Sequence, residues 1–253
     1  MATKIRIIPT LLFKEMGLVK GVGFDSWRRV GTAMQAIKVY NLRDVDELVF
    51  LDITATAECR SPDFDMVDEL ADECFSPFSV GGGITCVEDV RRLLRVGADK
   101  VVLNTAAVER PELISEIAQQ FGSQCVVVSI DARRNEDDTY ETFIHSGKQS
   151  TGQDPVMVAR RSAELGAGEI LITSIDHDGT MMGYDMELTR HVSEAVSIPV
   201  IASGGAGNYE HMVQVLREGE VAAVAAASIF HFTQQTPLEA KRYLKGQGFM
   251  VRL

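Results

Sequence analysis

Cysteine is scarce in this chain. Cys59, Cys74, Cys86 and Cys125 are the only four in 253 residues, with no C-x-x-C pair and no spaced histidine beside them. That argues against a disulfide scaffold and against a thiolate metal site, so no metal is expected. An apolar run of roughly 18 residues is missing, which excludes a membrane-spanning helix. The opening stretch MATKIRIIPTLLFKEMG lacks the pattern of a secretory signal and reads as a strand, so a cytoplasmic protein is expected. Basic excess is also missing. Lys and Arg number 25 against 36 Asp and Glu, a net charge of −11, which argues against non-specific nucleic-acid binding. An anionic substrate must therefore be met by local donors, and nothing points to a cofactor.

No Pro-, Gly- or Ser-rich linker divides the chain, and 45% of it is apolar. Residues 1–253 are read as one domain of the length that α/β barrels use. Eight β-branched runs are the strand candidates: 5–12, 47–53, 75–80, 100–104, 125–131, 169–175, 198–203 and 221–227. Amphipathic stretches such as 62–74 and 111–121 alternate with them. Eight such units predict a (β/α)8 barrel of the α/β class, with a doubly wound open sheet as the structural alternative. The two halves repeat. Gly82 and Gly204 have the same separation as Glu47 and Glu169, so the chain reads as two four-strand units. Long loops over 13–31 and 132–152 leave strands 1 and 5, on the face where barrel active sites lie, and TYETFIHSG in the second alternates like a small hairpin.

Glycine is plentiful where it matters. SVGGGI ends strand 3 and IASGGAG ends strand 7, each followed by a short polar strand end, Asn104-Thr105 and Ala226-Ala227-Ser228. Glycine lets backbone approach a ligand, and N–H groups at such turns bind anions. Two copies half a chain apart predict a small substrate held by two phosphates. Asp131 ends strand 5 as the candidate acid or base, the alternative being a turn cap or a partner for Arg133 or Arg134. Asp52, Asp176 and Asp178 should join it at the mouth, where neighbouring carboxylates split their pKa values. Lys20 could reach an anion or simply be solvated, Trp27 could be a lid or a pin, and His177 is the histidine placed nearest the mouth. Arg6, Glu47, Lys100 and Glu169 stand at strand starts, where two bases and two acids can close the barrel bottom as a ring.

The stretches DELVFLDIT, VGGGI, GADKVVLNTAAV, IAQQFGSQCVVVSIDA, IASGGAG and FHF give the chain a strong resemblance to the cyclase subunit of imidazole glycerol phosphate synthase. The resemblance implies a barrel paired with a glutaminase, whose ammonia enters at the bottom and travels inside to the top face. It makes Arg6, Glu47, Lys100 and Glu169 the ammonia gate. It assigns Gly82, Gly83, Asn104 and Thr105 to one phosphate site, and Ser203, Gly204, Gly205 and Ser228, with Asp178 nearby, to the other. It makes Asp131 catalytic, with Lys20 and Asp52 in support. The family's second catalytic aspartate ends strand 1 in a pattern like ACLDVKDG; here the segment is PTLLFKEMG and Leu12 holds that place. Val102 replaces a serine usual in the family. The segment RIIPTLLFKEMGLVK is similar instead to a paralogous group linked to acetamidino modification of surface-polysaccharide sugars, which implies an ammonia-dependent synthase subunit. Two alternatives stay open: an authentic cyclase of histidine biosynthesis, and a phosphate-binding scaffold without catalysis.

Overall fold

A computed structural model describes residues 4–15 and 17–253. Eight parallel strands form its centre: β1 (Arg6–Lys14), β2 (Leu48–Asp52), β3 (Phe78–Gly81), β4 (Lys100–Leu103), β5 (Val126–Arg134), β6 (Glu169–Ser174), β7 (Val200–Ser203) and β8 (Ala223–Ala226). Each pairs with the next, and β8 returns to β1, so the sheet closes as a (β/α)8 barrel. Closure leaves no open edge. The near-continuous apolar strands follow from burial on both faces. Ile7 and Leu11 of β1, Phe50 of β2 and Val128 and Ile130 of β5 face the helical shell, each at most 1% exposed.

The helices bury one stripe each. Phe64, Val67 and Leu70 line the inner face of Phe64–Asp72, whose first turn is capped when the Asp63 side chain accepts the Met66 N–H. Leu113, Ile114 and Ile117 do the same for Glu112–Phe121. The last helix, Pro237–Gly246, is tied to the bottom of the barrel by Lys241, a lysine with no exposed side-chain surface. Its ammonium meets Asp44 at 3.2 Å and Asp46 at 3.3 Å, and the second oxygen of Asp46 accepts the Ile7 N–H at 2.9 Å. A charge so deeply buried is tolerable only with such partners.

Two sequence expectations change. The stretch expected as the first long loop holds a hairpin: β1 continues to Lys14, and Gly17–Val22 pairs antiparallel with it and with Asp25–Gly31. In the second long loop the hairpin expected around TYETFIHSG is present: β5 runs to Arg134 and pairs with Tyr140–Ile144, which pairs in turn with Gln149–Ser150. The expected strand over 75–80 starts only at Phe78, because Pro77 cannot donate to the ladder and Phe75 turns outward at 82% exposure.

Inside the barrel, the register fixes which side chains share a height. Thr10 pairs with Val49, Val49 with Ser79, and Ser79 with Lys100. Across the far wall Val102 pairs with Val127, Ser129 with Leu171, and Leu171 with Ile201. This stagger stacks the inward residues in levels contributed alternately by odd and even strands. From the bottom, Arg6 lies under a level holding Glu47, Lys100 and Glu169. Above come Ile8, Ser79, Val127 and Ile201, then Val49, Val102, Leu171 and Ala225, then Thr10, Gly81, Ser129 and Ser203. Leu51, Asn104 and Thr173 lead from there to Leu12 and Asp131 at the mouth.

Candidate functional site at the barrel mouth

The C-terminal ends of the strands open into a cavity lined by Leu12, Lys20, Asp52, Asn104, Asp131 and Asp178, with the two glycine turns on opposite walls. Asp131 is 8% exposed. Its Oδ2 accepts from Asn104 Nδ2 at 3.2 Å, and the Ser129 hydroxyl stands 3.5 Å from Oδ1. Burial raises the Asp131 pKa most; the nearby Asp178 charge adds to this and the Ser129 hydroxyl opposes it, bringing it to about 7. A carboxyl titrating there can both give and take a proton near neutrality.

Asp178 is held differently. The ammonium of Lys20, 2% exposed on the first hairpin, forms an ion pair with its Oδ2. Asp52 is occupied by its own loop: Oδ1 accepts from the Thr54 and Ala55 N–H groups at 3.0 and 3.1 Å, and Oδ2 meets Arg60 at 3.0 Å. It shapes the β2 loop at the rim. Leu12, at the level of Asp131, supplies only apolar surface, paired with Val19 and Leu51.

Asp176 does not join the mouth. It is exposed, accepts the Arg134 N–H at 2.9 Å and faces Arg133 at 3.6 Å. After β6 the chain turns tightly, with the Asp178 N–H bonded to the Ser174 carbonyl at 3.0 Å, so residues two apart point in different directions. His177 is likewise outside the cavity, its Nδ1 2.7 Å from the Gly183 carbonyl. Trp27 lines the cavity wall.

The glycine turns match each other in detail. Gly82 and Gly83 have φ of +106° and +74°, and Gly204 and Gly205 have +91° and +106°. A Cβ on Gly82 would lie 2.2 Å from the Asp52 carbonyl oxygen, and one on Gly205 would lie 1.9 Å from that of Gly183. Only glycine fits. The short helices Thr105–Glu109 and Ser228–Phe232 also begin alike, from Asn104 (φ −120°, ψ −85°) and Ala227 (φ −127°, ψ −65°), neither giving a side-chain cap. The first N–H groups of a helix have no partner within it. Ser228 Oγ is buried without a hydrogen-bond partner among the described residues, whereas Thr105 Oγ1 accepts the His145 N–H at 3.1 Å. The Asn104 amide is turned to β5, donating to the Ser129 carbonyl and to Asp131.

Sequence reading missed Thr10, Ser129 and Thr173, which share the inward face below the mouth. Strand parity was the available signal: counting back in twos from Asp131 reaches Ser129. The two hairpins roof the cavity and touch. Phe24 packs where a Cβ on Gly147 would be 2.8 Å from its ring, and the Ser146 hydroxyl donates to the Ile53 carbonyl at 2.7 Å.

At the other end the four expected charges form a closed ring. Arg6 meets Glu47 at 2.8 Å and Glu169 at 2.6 Å, and Lys100 meets the same two at 2.9 and 2.8 Å. Signs alternate around it, and Ser79 Oγ donates to the remaining Glu47 oxygen at 2.7 Å.

Fold and mouth together define an α/β barrel of the enzyme type, with twin glycine turns and a titratable carboxyl between them. The histidine biosynthesis protein family matches residues 6–236, and the chain belongs to that family, whose members are isomerase and cyclase barrels of histidine biosynthesis.

Proposed function

We propose that this barrel is the ammonia-receiving subunit of a glutamine-dependent pair and feeds a synthase reaction other than imidazole ring closure, acetamidino modification of a surface-polysaccharide sugar. The carrying observation is Leu12. It stands at the level of Asp131 where a second free carboxyl would be needed, and the neighbouring carboxylate Asp178 is tied to Lys20. The charge ring at the opposite end remains complete, which favours retention of the passage after loss of the proton-transfer pair. A glutaminase would dock around that ring. Leu42 and Phe75, 86% and 82% exposed, belong to segments leading into β2 and β3 at that end, joined when the Phe75 N–H donates to Asn41. Exposed residues of this size suit a partner surface.

The direct test supplies ammonium salt and the cyclase substrate to the purified chain. The expected result is no imidazole glycerol phosphate at a family rate, and a gain of about 10²-fold in Leu12→Asp, the low end of what a positioned acid or base contributes. Full cyclase activity of the unaltered chain would overturn the proposal. It would favour the authentic cyclase, for which the closeness of Asp178 to Asp131 is the supporting observation.

The glycine turns are proposed as phosphate grips in either case. Gly205→Ala forces a Cβ against the Gly183 carbonyl at φ +106°. It should weaken inorganic phosphate binding by about tenfold, the equivalent of one charge-assisted hydrogen bond. Calorimetric titration reads this, and unchanged affinity would remove the second turn from the site.

A further inference from the structure

The foot of β1 is fastened to its β2 side by a side chain, at a place remote from the mouth and the glycine turns. Its ladder to β8 covers residues 6–9, and its ladder to β2 covers residues 10–13. Every second N–H of a strand addresses the same neighbour, so Ile5, Ile7 and Pro9 face the β2 side below that second ladder. Pro9 has no N–H to donate. Ile7 donates to the carboxylate of Asp46 at 2.9 Å, and Ile5 donates to the Met250 carbonyl at 2.8 Å. Asp46 is held in turn by Lys241 at 3.3 Å, and the same ammonium bonds the Asp44 carbonyl and meets its carboxylate at 3.2 Å. Lys241 lies in the last helix and Met250 in the tail behind it. A lysine with no exposed surface is costly to bury, and an uncharged pair could fill the same space without that cost.

We infer that Asp46 and Lys241 are positioning residues for the charge ring: they fix the foot of β1 through the Ile7 N–H, and so set Arg6 against Glu47. The inference deepens the ammonia-receiving reading and rests on it only for the use to which the ring is put. Arg6 is the residue before Ile7, and Glu47 is the residue after Asp46. One hydrogen bond between their neighbours thus sets the spacing at which Arg6 reaches Glu47 at 2.8 Å and Glu169 at 2.6 Å. Lys100 and Glu169 are seated otherwise, by backbone pairing with Ser79 and Val127. A displacement of the last helix would therefore be felt first at Arg6, through Lys241 and Asp46.

Two charge-free pairs of substitutions separate positioning from mere anchoring of the last helix. Lys241→Met with Asp46→Asn removes both charges but leaves an amide oxygen to accept the Ile7 N–H. Lys241→Met with Asp46→Leu removes the acceptor as well. NMR of the full chain reads amide exchange at Ile7 and the carboxyl titration of Glu169. Burial pushes the Glu169 carboxyl up and Arg6, foremost, pulls it below its ordinary 4.5, so its titration reports where Arg6 stands. The asparagine pair should keep the parent's behaviour in both. In the leucine pair Ile7 should exchange about tenfold faster, the loss of one hydrogen bond, and Glu169 should titrate closer to 4.5. The same Glu169 titration in both pairs, shifted or not, would overturn the inference, because anchoring alone predicts it. If the leucine pair does not fold, Asp46→Ala takes its place, removing the acceptor without crowding. If neither folds while the asparagine pair does, the contact is a folding requirement and the positioning role falls. None of these outcomes depends on Leu12. Failure to receive ammonia from a glutaminase would remove the ring's use and leave its fastening as it is.

Discussion

Glu47→Gln should destabilise the barrel by about 3 kcal/mol, the low end for removing one partner of a buried ion pair, because Arg6 and Lys100 would still share Glu169. Glu47 is 1% exposed and bonded to Arg6, Lys100 and Ser79, so its loss unbalances two cations at once. Urea unfolding at neutral pH measures the effect. Replacing all four ring residues with apolar side chains of matched volume should recover most of that loss, since burying paired charges gives little net stability. A quadruple variant as unstable as Glu47→Gln would make the ring a structural necessity. A stable quadruple variant would mean that stability is not the reason the charges are there, as the proposed gate requires. Acid tests the same ring. Burial pushes the Glu169 pKa up, but the hydrogen bond and charge of Arg6, then those of Lys100, outweigh it and hold it below its ordinary 4.5. Its stabilising contribution is therefore complete above that ordinary value and disappears as pH falls through the lowered one.

Asp131→Asn should stabilise the protein while disabling it. With burial and Asp178 holding this carboxyl near 7 against an ordinary 3.8, the native state keeps a proton that the unfolded chain has released across that interval. Stability therefore declines as pH rises from about 4 to about 7, the reverse of a salt-bridged aspartate. At pH 8 the asparagine variant should exceed the parent by a few kcal/mol, and the gap should close near pH 4. Any ammonia-consuming step that uses Asp131 for proton transfer should slow by about 10²–10⁴-fold in the same variant. Unfolding curves at the two pH values separate the outcomes: an asparagine variant less stable at pH 8 would mean that the carboxylate is better satisfied than its surroundings indicate.

The barrel and its charge ring were legible because both are written in strand-length patterns. Arg6, Glu47, Lys100 and Glu169 occupy equivalent starts of apolar runs, and closing a parallel sheet brings such starts together. The glycine turns were legible for a related reason, since few other residues take the required φ. The hairpin at 17–31 was harder than the one at 140–150, where TYETFIHSG alternates. Its outer strand carries Asp25, Arg28 and Arg29 on exposed backbone, so little apolar alternation marks it. Asp176 and Asp178 show a second limit. They look alike in sequence, but a single tight turn sends one toward Arg133 and Arg134 and the other to Lys20. Thr10 was overlooked because an isolated threonine in an apolar strand carries no signal until its neighbours across the barrel are known.

The hairpin tips that meet at Phe24 and Gly147 spring from β1 and β5, a half-turn apart around the barrel. They are two leaves of one door, each hung on a different half of the molecule. On the proposed reading, a substrate long enough to span both glycine turns would lie beneath both leaves, and moving one alone would neither admit nor release it. On the same reading, ammonia arriving from the bottom of the barrel would have no need of that door, and the two kinds of traffic would not contend for one threshold.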